Sequence, residues 1–353
     1  MVSVRTAVSL MDANSRDGSS EHIGHSTYMG SAVALGPSFS SADERPVRHP
    51  REGRMAPRRG WRAGYHPCMT ELLTDTRQID PEAPQYNATL VRREDENESL
   101  AYFWVRFDGD PTPFESGQYM TIGVMVDGKI VQRPYSVASA PAVAGSDGYE
   151  FYVRLVQGGT FTPLLWRLPV GHAMRMIGPK GKFTLQPDDE RTHIFISSGT
   201  GNAPFVAMMR QMLIDGRPRP VVFLNGVSYA DELGYRAILD EWERSGTYPV
   251  TYVPTVSRPD DPRNKDWLGR TGRVETILGP VLDELGLSPA DSIAYICGNP
   301  DMILSAEETL LGRGYPEDQV HKELYWPKGK EPRGMAGADL AAAIEMAEQN
   351  ADE

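Results

Sequence analysis

Positions 132–141 read QRPYSVASAP. The stretch sets an Arg, a Tyr and two Ser around a Pro, directly after MTIGVMVDGKIV, a run that looks like plain antiparallel strand. A surface turn has no use for a cation, a flat ring and hydroxyls in fixed order. A flat, anionic ligand with hydrogen-bonding edges would use all of them: Tyr135 to stack on a ring, Ser136 to reach a ring nitrogen, Arg133 to pair with phosphate. An isoalloxazine ring joined to a diphosphate is such a ligand. Further along, VRLVQGGTFTP offers Gly158, Gly159 and Thr162, backbone and hydroxyl donors suited to the same diphosphate. Each piece taken alone also fits an ordinary turn.

A second cluster is ISSGTGNAPF. Gly199 and Gly201 let the backbone turn tightly where a strand meets a helix N-terminus, whose free N–H groups favour an anion. As a dinucleotide fingerprint it is incomplete, because Pro204 stands where a third Gly belongs. The next strand ends Asn225-Gly226-Val227-Ser228, with no acid immediately there to hold a ribose 2′-hydroxyl, although Asp231 and Glu232 follow. A later strand ends Ser257-Arg258, with Arg263, Arg270 and Arg273 close behind. Guanidinium suits phosphate geometry, so these residues lean toward a 2′-phosphate and hence NADP. A solvated basic loop is the bland alternative.

The elements that must position these residues fall into two rhythms. From about Gln85, short β-rich runs alternate with Gly, Asp and Pro turns, and Asp127-Gly128 between apolar runs marks a hairpin. A small antiparallel β-barrel over 85–190 is expected. After Pro187-Asp188-Asp189, strands such as HIFIS, PVVFLNGV and SIAYIC alternate with amphipathic helices, which predicts a parallel-sheet, Rossmann-like α/β domain over 191–326. Residues 1–84 are expected to be a disordered extension or an early start, Met69 being the alternative beginning. Residues 327–353 form an acidic tail with no assigned role.

The 353 residues carry a net charge of −12, which argues against general nucleic-acid binding. Hydrophobic residues make up 40% and mean hydropathy is −0.41, as in a globular chain. No apolar run approaches the roughly 18–20 residues that span a bilayer, so no membrane role and a cytoplasmic place are expected. Two cysteines, Cys68 and Cys297, cannot make a four-thiolate iron–sulfur site. No metal site is expected.

Arg-x-Tyr-Ser on a small barrel, then Gly-Gly-x-x-Thr, Gly-Thr-Gly-x-Ala-Pro and Cys-Gly-Asn-Pro in that order resembles the ferredoxin–NADP reductase family. The likeness is to the bacterial ferredoxin/flavodoxin–NADP reductases, whose chains end near an aromatic pair like HKELYWPKG here, and it runs from about Gln85 to Trp326. It implies an FAD-binding barrel, an NADP-binding domain and hydride transfer from NADPH to flavin N5. Single electrons would then pass to ferredoxin or flavodoxin, with the chain acting as a monomer. Arg133, Pro134, Tyr135 and Ser136 would hold FAD, with Ser136 near N5. Tyr152 and Val153 would also bind FAD, and Arg154, Gly159, Thr160, Phe161 and Thr162 would line its diphosphate or adenosine. Thr200 would sit near the flavin, and Tyr325 and Trp326 would cover it or stack on adenine.

On the NADP side, Gly199, Gly201, Ala203 and Pro204 would cradle the pyrophosphate. Ser228, Ser257, Arg258 and Arg273 would face the adenosine phosphate, with Gly298, Asn299 and Asp301 completing the site. Cys297 would lie beside the nicotinamide and share catalysis with Ser136. Two features depart from the pattern: Ser228 stands where many bacterial relatives have Arg, and residues 327–353 follow the aromatic pair. Alternatives are the reductase component of an oxygenase, a free-flavin or ferric reductase and, in another class, a non-catalytic flavin- or nucleotide-binding regulator.

Overall fold

The computed structural model of the protein describes residues 75–324. The expectations for residues 1–74, for the tail from 327 and for Tyr325 and Trp326 lie outside the described residues.

The first half is antiparallel. β1 (Ala88–Asn97), β2 (Leu100–Phe107), β3 (Tyr119–Val126), β4 (Lys129–Ser136), β5 (Tyr149–Arg154) and β6 (Ala173–Lys180) form one sheet in the order β4-β3-β6-β1-β2-β5. Its strands enclose a core that includes Leu90, Phe103, Met120, Ile122, Phe151 and Met176. Each large side chain so buried contributes roughly 1.5–3 kcal/mol of transfer free energy. Between β3 and β4, Asp127 and Gly128 both take positive φ, 49° and 77°, as a two-residue primed turn requires. That turn sets the register, which runs from Val126 opposite Lys129 to Tyr119 opposite Ser136. The chemistry-bearing residues of β4 are therefore positioned by a turn at its other end. Two short helices, α1 (Pro141–Asp147) and α2 (Thr162–Arg167), cover the barrel. Residues 75–84, assigned from sequence to the extension, also run along it: Ile79 bridges to Val126 and Ala83 is 5% exposed.

The second half is a parallel sheet of β7 (Thr192–Ser198), β8 (Val221–Val227), β9 (Val250–Val256), β10 (Arg270–Thr271), β11 (Ser292–Cys297) and β12 (Val320–Glu323), in the order β10-β9-β8-β7-β11-β12. The helices α3 (Ala203–Ile214), α4 (Arg236–Ser245), α5 (Val274–Leu285) and α6 (Pro300–Gly312) connect its strands. β8 and β11 are buried along their whole length, as a sheet covered on both faces requires. The strand order reverses at β7. The crevice outside the carboxyl ends of β7 and β11 is therefore where such a sheet binds ligands.

One expected helix begins late. ADELGYRAILDEWERS reads as helical throughout, yet α4 starts only at Arg236 and Tyr235 is left-handed, with φ 63°. The Tyr235 ring packs edge-on to Tyr102 and Tyr152 of the barrel, and its hydroxyl donates to Glu150 Oε1 at 2.7 Å. Burial between the two sheets overrides local helix propensity. Arg210 of α3 completes the junction by donating to Glu150 Oε2 at 2.7 Å and to the Ala138 carbonyl at 3.0 Å. Among the described residues no helix is long and apolar enough to cross a membrane.

Candidate active site

A cleft of about 790 Å³ opens where the end of β4 meets the carboxyl ends of β7, β8, β11 and β12. That volume lies within the range of small-molecule sites, about 300–1,000 Å³. On the barrel side Arg133, Pro134, Tyr135 and Ser136 line it together. Tyr152 and Arg154 of β5 join them, as do Gly159, Thr160, Phe161 and Thr162 of the loop into α2. Val153 does not. Side chains alternate along a strand, so Val153 points into the barrel core, 1% exposed, while its neighbours face the cleft.

On the sheet side Gly199, Thr200, Gly201 and Ala203 line the cleft, as do Ser228, Ser257, Arg273, Gly298 and Asn299. A Cβ on Gly201 would lie 2.4 Å from the Cys297 carbonyl oxygen, so only glycine lets this turn nestle between β7 and β11. Asn299 caps α6, its Oδ1 accepting from the amide of Asp301 at 2.9 Å and of Met302 at 3.4 Å. Asp301 itself stays out of the lining, in the first turn of that helix, and Pro204 is buried in the first turn of α3. Arg258 is also absent from the wall. Its guanidinium stands 5.3 Å from the centre of the Tyr229 ring and donates to the Tyr229 hydroxyl.

Cysteine, serine and a carboxylate converge where the two sheets meet. Ser136 Oγ donates to Glu323 Oε2 at 3.1 Å, and Cys297 Sγ lies 3.9 Å from the same oxygen. Glu323 is absent from the sequence reading. Its place comes from β12 pairing in register with β11, which sets Glu323 opposite Cys297. Burial raises the Glu323 carboxyl to about 7, against the opposing effect of its contacts with Ser136 and Cys297. Burial also pushes the Cys297 thiol up, with the Glu323 charge adding to it. Both effects favour the neutral thiol over the thiolate.

Two cations of the cleft, Arg154 and Arg273, and the nearby Arg263 are paired with acids, whereas Arg133 donates to the Thr160 hydroxyl and the Gln132 carbonyl. Arg154 Nη1 donates across the cleft to Glu232 Oε1 at 2.8 Å, and Glu232 Oε2 accepts from the Ser228 amide at 3.3 Å. Arg263 stacks over Tyr229 at 3.7 Å and pairs with Asp231 at 2.6 Å. Arg273 pairs with Glu275, whose side chain is 8% exposed and also lines the cleft. The residues fit a flavin and a nicotinamide dinucleotide. One wall holds a half-buried ring, a hydroxyl and guanidinium groups, and the other is a glycine turn at a helix N-terminus.

Family models for an oxidoreductase FAD-binding domain and an oxidoreductase NAD-binding domain match residues 87–185 and 195–308. Ferredoxin--NADP reductase B of Sorangium cellulosum (strain So ce56) is 33% identical over 223 residues, covering 62% of this chain and 88% of its own length. The phenol 2-monooxygenase reductase component DmpP of Pseudomonas sp. (strain CF600) is 32% identical over 219 residues, 61% of this chain and 59% of its own. The crystal structure of a ferredoxin NADP+ reductase from Neisseria gonorrhoeae with bound FAD and NADP shares the fold, with a TM-score of 0.58 and 24% identity. The match covers 69% of this chain and 99% of that one.

Proposed function

Because the chain belongs to the ferredoxin–NADP reductase family of FAD- and NAD(P)-binding oxidoreductases, we propose that it moves electrons between NADPH and a ferredoxin or flavodoxin. The observation that carries this reading is the convergence of Ser136, Cys297 and Glu323 at the junction of the two half-sites. Residues 85–190 act as the FAD domain and residues 191–326 as the NADP domain, in a cytoplasmic monomer.

Arg133, Tyr135, Ser136 and the Gly159–Thr162 loop hold FAD, and the Gly199–Ala203 turn holds the dinucleotide pyrophosphate. FAD, when bound, supplies the chemistry, accepting an electron pair and releasing it one electron at a time. The chain's own residues position and protect. Ser136 Oγ presents a hydroxyl at the end of β4. Glu323, with its carboxyl raised to about 7, holds or yields a proton at Oε2 near neutral pH. Cys297, whose neutral thiol burial favours, shapes the pocket wall.

The test is to load the protein with FAD, add NADPH without oxygen, and follow reduction of ferredoxin and of flavodoxin separately. The reading expects NADPH-dependent reduction of at least one. Reduction of neither, while the flavin still bleaches, would favour a second reading, the reductase component of an oxygenase. The similarity to DmpP supports that reading. The 353 residues hold two cysteines, too few for a four-thiolate cluster among them.

A further inference from the structure

Residues 75–80 precede the stretch that matches the FAD-binding family model, which begins at residue 87. They are nevertheless tied to the barrel and to the loop that enters α2. Asp127 N donates to the Gln78 carbonyl at 3.2 Å and Asp80 N to the Met125 carbonyl at 3.0 Å, on either side of the Ile79–Val126 bridge. Ahead of that anchor, Asp75 Oδ1 accepts from Arg77 N at 3.1 Å and Nε at 3.0 Å, and Oδ2 from Nη2 at 2.7 Å. Arg167, the last residue of α2, donates Nη1 to the Arg77 carbonyl at 3.1 Å and stands 3.6 Å from Asp75 Oδ1.

This arrangement aims the remaining Arg77 nitrogen. Nη1 donates to the carbonyl of Thr160 at 2.7 Å, joining groups 83 residues apart in sequence. The hydroxyl of the same Thr160 accepts from Arg133 Nη2 at 2.6 Å. Two guanidiniums thus grip one residue from two sides, one from the cleft wall and one from behind. Thr160 lines the cleft and Arg77 does not.

We propose that residues 75–79 form a strap that holds the Gly158–Thr162 loop in the shape that receives the FAD diphosphate, with Arg77 as its positioning residue. The inference rests on reading that loop as the diphosphate site. The loop's own contacts hold its ends, Val156 N donating to Thr162 Oγ1 at 2.9 Å and Gly159 N to the Val156 carbonyl at 2.9 Å with Phe161 buried, and the two guanidiniums fix Thr160 between them. Two adjacent glycines leave the backbone with maximal freedom, and Val156 at its start is 54% exposed. Ordering such a loop before the ligand arrives lowers the entropy lost on binding.

The test measures FAD affinity and release in full-length protein, by flavin fluorescence on titrating the FAD-free form. Arg77→Ala, Arg77→Lys and Arg133→Ala are compared with the parent chain, and adenosine 2′,5′-bisphosphate binding is followed in parallel. Arg77→Ala should raise the FAD Kd about ten-fold, with faster release and unchanged bisphosphate affinity. Lys, which keeps one donor for Thr160 but loses the paired contact with Asp75, should fall between. An Arg77→Ala Kd within about two-fold of the parent, with Arg133→Ala still weakened, would overturn the strap. If Arg133→Ala also binds FAD normally, the reading of the loop itself falls. Equal losses of FAD and bisphosphate affinity in Arg77→Ala would indicate general loosening and would likewise overturn the positioning role.

Discussion

Ser136 and Glu323 lie 187 residues apart in the chain and meet at one hydrogen bond, with Cys297 beside it. Replacing Ser136 with Ala should leave FAD bound but slow its reduction by NADPH about ten- to a hundred-fold, the worth of one charge-assisted contact. Stopped-flow absorbance would read this, and unchanged kinetics would remove Ser136 from the reaction. Glu323 makes a pH prediction of definite sign. Its folded value of about 7 exceeds the ordinary 4.5, so burial favours the protonated form. The associated stability is present below pH 4.5 and is lost as pH rises through about 7. Thermal unfolding of FAD-free Glu323→Gln should lack that loss, and parallel pH profiles for the two proteins would contradict the assignment. Arg273, proposed for the adenosine phosphate, is paired with Glu275, which would compete for it with a 2′-phosphate. Glu275→Gln should therefore tighten adenosine 2′,5′-bisphosphate binding several-fold, on the order of one half-exposed ion pair, without changing affinity for 5′-AMP. Equal effects on both ligands would separate Glu275 from the choice between NADPH and NADH.

Elements decide which of these residues can meet. The Asp127-Gly128 turn was readable from sequence because positive φ at two successive positions demands such residues, and it sets the register of Arg133, Tyr135 and Ser136. The strand-to-helix glycine turn was readable for a similar reason. Gly201→Ala should raise the NADPH KM at least about ten-fold while FAD stays bound, because a methyl group there strikes the end of β11. Steady-state kinetics with retained flavin absorbance would check it, and a normal KM would show that the turn yields. Other placements depend on contacts that local sequence does not encode. Glu323 ends a four-residue strand, VHKE, whose polar letters hide its pairing with β11. Val153 is expected at FAD beside Tyr152 and Arg154, yet the two-residue period sends its side chain to the core. Arg258 stands in the expected loop, yet its guanidinium lies over the Tyr229 ring and does not line the cleft. The late start of α4 has the same origin, since Tyr235 gives up helical geometry for a buried place between the sheets.

At the scale of the whole molecule, the cleft keeps its shape only if the two sheets stay fixed against each other. The Arg210–Glu150–Tyr235 network spans that junction with side chains that are largely buried. Glu150→Ala would remove the buried carboxylate that Arg210 pairs with, leaving it the Ala138 carbonyl and the Tyr235 ring, and should cost about 3–5 kcal/mol in denaturant unfolding. A loss near zero would mean that the aromatic stack of Tyr102, Tyr152 and Tyr235 holds the junction alone. The central claim is that one cleft takes FAD against the barrel and a nicotinamide dinucleotide against the sheet, close enough to react. The most direct test is a visible absorption spectrum of the purified protein without oxygen, before and after adding NADPH. Flavin bands that bleach on addition are the predicted result. No bound flavin even after reconstitution with FAD, or flavin bands that NADPH leaves untouched, would contradict the account.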